Sequence, residues 1–124
     1  MPAILYTVRA NCKDVQQRGR YLSWLSPNHV VELMKHGATG VRIVLPLPDD
    51  RSGQTPAGQQ AGTVPPSAPA VVETQYTFPS RKAFDDYVRD HAPALRADGL
   101  KHFPPDSGIT YERQVAEIAA ELGG

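Results

Sequence analysis

Four histidines, one cysteine and a handful of aromatic side chains carry whatever chemistry this chain can do. His29 follows a Ser26-Pro27 pair inside a helical pattern, with Leu25 and Leu33 as its neighbours by spacing. An imidazole at the edge of an apolar cleft can act as a general base, because its unperturbed pKa lies near neutrality. The other reading of His29 is a half-buried side chain bonded to nearby backbone. His29, Glu32 and His36 share one side of a helix at i, i+3 and i+7. Metal sites use such spacings, but zinc needs three or four ligands with oriented partners behind them, and the His-Glu-x-x-His pattern is absent. A solvated helix face is the better reading of that trio, and no metal is expected. His91 lies within an apolar helical stripe, where a polar side chain needs a partner, so it lines a pocket or sits satisfied in the core. Tyr6, Trp24, Tyr76 and Arg42 complete the candidates. Aromatics with a polar handle suit a planar ligand, and core packing is the alternative for each. Cys12 has no base near it in sequence and is a bystander.

The elements that must position these residues follow from hydrophobic periodicity. Residues 3–10 read as a strand with Ile4, Tyr6 and Val8 on one face and Leu5, Thr7 and Arg9 on the other. Asp14 is a candidate N-cap for a helix over 15–36, in which Ser26-Pro27 is expected to cap and restart a second piece. Gly37 suits a left-handed helix end. Residues 40–47 and 70–78 read as strands, the latter with Val72, Thr74, Tyr76 and Phe78 on one face. Ser80 caps a second helix whose stripe is Phe84, Tyr87, Val88, His91 and Leu95, kinked or restarted at Pro93 and ended by Gly99. Residues 109–118 form a fourth strand. Residues 48–69 hold five prolines and three glycines and almost no large apolar side chain. Such a stretch cannot bury enough surface to offset its ordering entropy, and it reads as a flexible loop, either a lid or a tolerated insertion.

The order β-α-β, loop, β-α-β predicts one α+β domain of ferredoxin-like topology: a four-stranded antiparallel sheet with two helices on one face. The other sheet face also carries apolar residues in this reading and is expected to need cover from a second copy. Lys plus Arg equals Asp plus Glu at 13 each, which gives no long-range field for phosphate and argues against nucleic acid. No run is apolar enough to cross a bilayer, and the N-terminus enters a strand without the pattern of a secretory signal, so the expected compartment is the cytoplasm. Walker, dinucleotide-glycine and Ser-His-Asp signatures are absent, and no cofactor is expected.

Two spaced patterns are more specific. They are Tyr21-x-x-Trp24-Leu25-x-x-x-His29-x-x-x-Leu33-x-x-x-Gly37 and Ala92-x-x-Leu95-Arg96-x-x-Gly99-x-x-x-Phe103, the second followed by the last strand. Together they resemble an uncharacterised bacterial family of dimeric α+β barrel domains, distantly similar to the antibiotic biosynthesis monooxygenase and EthD-like groups. The resemblance spans roughly residues 3–118, apart from the Pro/Gly-rich loop. It implies a homodimer with a cleft between helices and sheet in each subunit. It also implies a small organic ligand, with cofactor-free oxygenation or isomerisation among the activities of relatives and a non-catalytic binding or assembly role as the alternative. Fold alone does not choose between these.

Overall fold

The computed structural model describes residues 2–47 and 70–122, so the expected loop at 48–69 lies outside the described residues. Four strands form one antiparallel sheet in the order β2-β3-β1-β4: β1 (Ile4–Cys12), β2 (Gly40–Val44), β3 (Ala70–Phe78) and β4 (Thr110–Glu117). The two long central strands pair over their whole length, with Tyr6 opposite Tyr76 and Ala10 opposite Val72. This is the ferredoxin-like α+β arrangement. All helices lie on the face that carries Ile4, Tyr6, Ala10, Val72, Tyr76 and Phe78, each of them buried.

Each β-α-β half carries an interrupted helix. In the first, α1 (Val15–Trp24) starts at Asp14, whose carboxylate accepts from the Gln17 backbone N–H at 2.7 Å. The buried Gln17 side chain ties this end to the last strand's approach by donating to the Ser107 carbonyl at 2.8 Å. The chain then passes through a π turn over Leu25–His29 and continues as α2 (Val30–Lys35). The expected capped restart at Ser26-Pro27 does not form. Pro27 cannot donate to the preceding turn, and the helix accommodates it by widening, with the Val30 N–H reaching back five residues to the Leu25 carbonyl. The Asn28 side chain donates to the Trp24 carbonyl at 2.9 Å. Gly37, at φ 126°, closes this stretch in the left-handed region.

In the second half, Ser80 caps α3 (Arg81–Asp90) by accepting from the Ala83 N–H at 3.1 Å. The helix breaks at His91, and α4 (Ala92–His102) follows with Pro93 in its first turn, where a missing N–H costs nothing. Gly99 does not end this helix. It lies inside α4, and a Cβ there would stand 3.4 Å from the Trp24 ring, an ordinary contact, so the position packs on Trp24 with room for no side chain much larger than alanine.

Two buried clusters hold the layers together. One gathers Tyr6, Leu33, Tyr76, Phe78, Phe84 and Tyr87 beneath α2 and α3. The other gathers Ala10, Tyr21, Leu25, Val72, Phe103 and Ile109 beneath α1. Full burial of each large side chain contributes about 1.5–3 kcal/mol. The opposite sheet face is partly apolar, as expected, but much of it is polar. Arg9 pairs with Glu73 at 3.3 Å, Arg42 donates to Gln75 at 2.7 Å and Asn11 donates to Glu112 at 3.1 Å. Leu5, Val44, Val71 and Ala116 supply the apolar part of this face.

Candidate functional site

Between the two buried clusters, helices and sheet separate to leave a cleft of about 240 Å³. Its floor is Tyr6 and Val8 of β1 with Tyr111 and Arg113 of β4. Its walls are Tyr21, Trp24 and His29 from the first helical stretch and Tyr87, Leu95, Arg96, Gly99 and Leu100 from the second. The lining is thus mostly aromatic, with an imidazole and two guanidiniums as its charged or titratable nitrogen groups.

The π turn is what brings His29 here. At 3.6 residues per turn, positions five apart lie about 140° apart around a helix, and their side chains do not meet. The wider turn closes that angle, and the His29 ring stacks on Trp24 with centroids 4.9 Å apart and planes at 29°. Trp24 in turn meets Tyr21 at 5.8 Å and Phe103 at 5.8 Å. Burial pushes the His29 pKa down to about 4, against the smaller upward pull of Asp98, so the ring is neutral at pH 7. His29 Nδ1 and Trp24 Nε1 are both buried without a hydrogen-bond partner among the described residues. Two such atoms stacked at one wall are costly unless something else satisfies them. Burial also raises the Tyr21 and Tyr87 hydroxyl pKa values, so both phenols stay protonated and can donate.

Of the residues singled out from sequence, the structure brings Tyr6, Trp24 and His29 together at this cleft. It does not bring the other three. Tyr76 is fully buried one strand away, its ring 5.8 Å from that of Tyr6. Arg42 is on the opposite sheet face, bonded to Gln75, because its place in the β2 alternation points it away from the helices. His91, at the break between α3 and α4, stacks on His36 with centroids 3.7 Å apart, away from the cleft lining. His36 is also 3.7 Å from Glu32, and no group of three metal-binding side chains occurs among the described residues. Cys12 is buried, and burial raises its thiol pKa.

Residue-by-residue reading missed Tyr21, Tyr87, Arg96, Tyr111 and Arg113. Tyr21 and Tyr87 had a signal, since each lies on the same helical stripe as a named residue. Arg96 reaches the cleft across a 90-residue separation that topology closes, donating to the Tyr6 hydroxyl at 3.4 Å, and Arg113 lies 5.4 Å from the ring centre of Tyr111 on its own strand.

Residues 3–117 match the model of a domain of unknown function, DUF4286, and the chain belongs to that family. No curated protein sequence matches it. Among solved structures it is similar to a dimeric ferredoxin-like protein from an uncultured marine organism, at TM-score 0.65 and 10% identity over 98% of this chain and 100% of that one. It is similar to a Bacillus cereus protein provisionally described as an antibiotic biosynthesis monooxygenase, at TM-score 0.63 and 8% identity over 100% of both chains. An EthD-family protein from Bacillus halodurans is similar at TM-score 0.52 and 10% identity, over 89% of this chain and 96% of that one. At these identities the likeness concerns the fold. No helix among the described residues is long and apolar enough to cross a membrane.

Proposed function

We propose that this DUF4286-family protein binds a small planar organic molecule in the cleft between helices and sheet, and that it does so as a homodimer. The observation that carries the binding reading is the stacked Trp24–His29 pair, whose two unpartnered buried nitrogens sit at the wall of an aromatic-lined cleft. A few polar groups converging on a concave apolar surface are what small-molecule sites share. The homodimer is supported by the sheet face that no helix covers among the described residues and by the dimeric state of similar ferredoxin-like proteins.

Trp24 is the only tryptophan, so its fluorescence reports on the cleft. Titration with one- and two-ring aromatic compounds should quench or shift that emission saturably. Compounds too large for the cleft should not, and an emission indifferent to every probe would contradict the reading. Size exclusion with light scattering should give twice the 13.5 kDa chain mass, and a monomer at tens of micromolar would remove the dimer.

For chemistry, a neutral imidazole beside the ligand points to proton transfer, as base catalysis in cofactor-free oxygenation or isomerisation requires. The pKa near 4 also favours a second reading, because so weak a base suits hydrogen bonding in a non-catalytic binder. Compounds that bind can be followed for exchange of an acidic carbon-bound proton with deuterated solvent and for oxygen uptake. Turnover above a His29→Gln background supports the enzyme, and ligand unchanged in both assays supports the binder.

A further inference from the structure

We propose that the cleft selects planar aromatic anions, carboxylates above all, and that Arg96 and Arg113 read the charge. This rests on the binding reading above and names the ligand class for it. The two guanidiniums enter from opposite sides, Arg96 on α4 and Arg113 on β4, and no carboxylate among the described residues lines the cleft. Among the described residues neither makes an ion pair. Arg96 has its 3.4 Å bond to the Tyr6 hydroxyl, and Arg113 lies against the Tyr111 ring. Both fields reach one place, since both charges act on the Tyr87 hydroxyl.

The carboxylates nearby are engaged elsewhere. Asp98 and Glu32 line the neighbouring groove on the far side of His29. Arg113 also borders a groove of the open sheet face, but there Glu73 is paired with Arg9 and Glu112 accepts from Asn11. Glu32 and Glu73 are paired with cations, Lys35 and Arg9, and the two arginines border the aromatic cleft without a carboxylate partner among the described residues. A guanidinium in such a setting favours a carboxylate, which it can hold through two parallel bonds, while the flanking rings accept the flat body of the ligand. His29, being neutral, adds no competing charge and can donate to or accept from the same ligand. The volume is below the usual range for drug-sized ligands, roughly 300–1,000 Å³, and so favours one or two rings.

Calorimetric titration with 1-naphthoate and its neutral isostere 1-naphthamide tests this in the wild type, Arg96→Gln, Arg113→Gln and the double variant. Both arginines are exposed, so thermal melts should be nearly unchanged. Naphthoate is expected to bind roughly ten-fold more tightly than the amide, as a charge-assisted bond implies. That preference should shrink in each single variant and vanish in the double, with the amide affinity steady. Equal binding of the two compounds by the wild type would overturn the anion selection while leaving the cleft reading standing. Binding of neither would remove both. A naphthoate preference that survives the double variant would place the anion elsewhere and overturn the arginine assignment.

Discussion

At Pro27 the first helical stretch stays continuous through a π turn, whereas just before Pro93 the second stretch breaks and starts again. Each interruption carries a histidine. In the π turn the chain gains a residue without leaving the helix, so the phase of everything after it shifts and His29 is turned under Trp24 into the cleft wall. At the break the backbone leaves the helical region at His91, φ −126°, and α4 sets off afresh, so His91 stacks on His36 outside the cleft. The same pair of residue types thus builds a site in one place and a joint in the other. The difference lies in where the proline falls: two residues before the histidine inside a running helix, or two after it in a new first turn.

The largest contrast should come from truncating the two neighbourhoods. Trp24→Ala removes the ring that joins His29 to Tyr21 and Phe103, and is expected to cost about 3 kcal/mol in urea denaturation. His91→Ala, at a half-exposed joint, should cost no more than about 1 kcal/mol and leave ligand affinity at the cleft unchanged. Comparable losses at the two positions would remove the distinction.

A pH series sharpens the comparison next. In the unfolded chain His29 takes up its proton near pH 6.5, but in the folded protein it resists protonation down to about pH 4. As pH falls through that window the unfolded state binds the proton and the folded state does not, so stability present above pH 6.5 is lost by about pH 4. The loss is on the order of 3 kcal/mol. His29→Phe keeps a ring on Trp24 and removes the titration, so the urea midpoint of the wild type should fall relative to that of the variant as pH drops. A constant difference from pH 7 to pH 4 would mean that His29 is not desolvated.

The smallest effect belongs to Gly99. Alanine there meets the Trp24 ring at an ordinary contact distance of 3.4 Å and gains helix propensity, so Gly99→Ala should stabilise the fold by up to about 1 kcal/mol. Gly99→Leu has no such room and should displace Trp24 and abolish binding of an aromatic probe, which calorimetry would show. Full binding by the leucine variant would place the ligand elsewhere.

Much of this frame is legible in the residues. The alternation Val72, Thr74, Tyr76, Phe78 marks a strand with one buried face, and Asp14 and Ser80 mark helix starts by a local hydrogen bond that needs no tertiary information. Tyr6, Trp24 and His29 could be named because each combines an apolar body with a polar handle. Three things were not legible. A proline in a helical pattern can force a restart or a π turn, and the choice at Pro27 depends on packing of Trp24 against α4, far along the chain. Gly99 looks like a helix end until α4 is seen to run on through it against Trp24. The polar part of the open sheet face was hidden because Leu5 and Thr7 represent only one strand of it, while Glu73, Gln75 and Arg42 join them through pairing. Arg96 stands in the second spaced pattern and Arg113 on the last strand, but their meeting at one cleft is set by topology.

The central claim is that a small aromatic ligand occupies the cleft beside Trp24 and His29. Since the chain has one tryptophan, its indole N–H gives a single side-chain signal in a nitrogen–proton NMR spectrum. Titration with 1-naphthoate should move that signal saturably, together with the amides of Tyr21, His29, Leu95 and Arg113, and leave those of Arg42 and His91 in place. An indole signal that stays fixed while others move, or shifts confined to the open sheet face, would contradict the account.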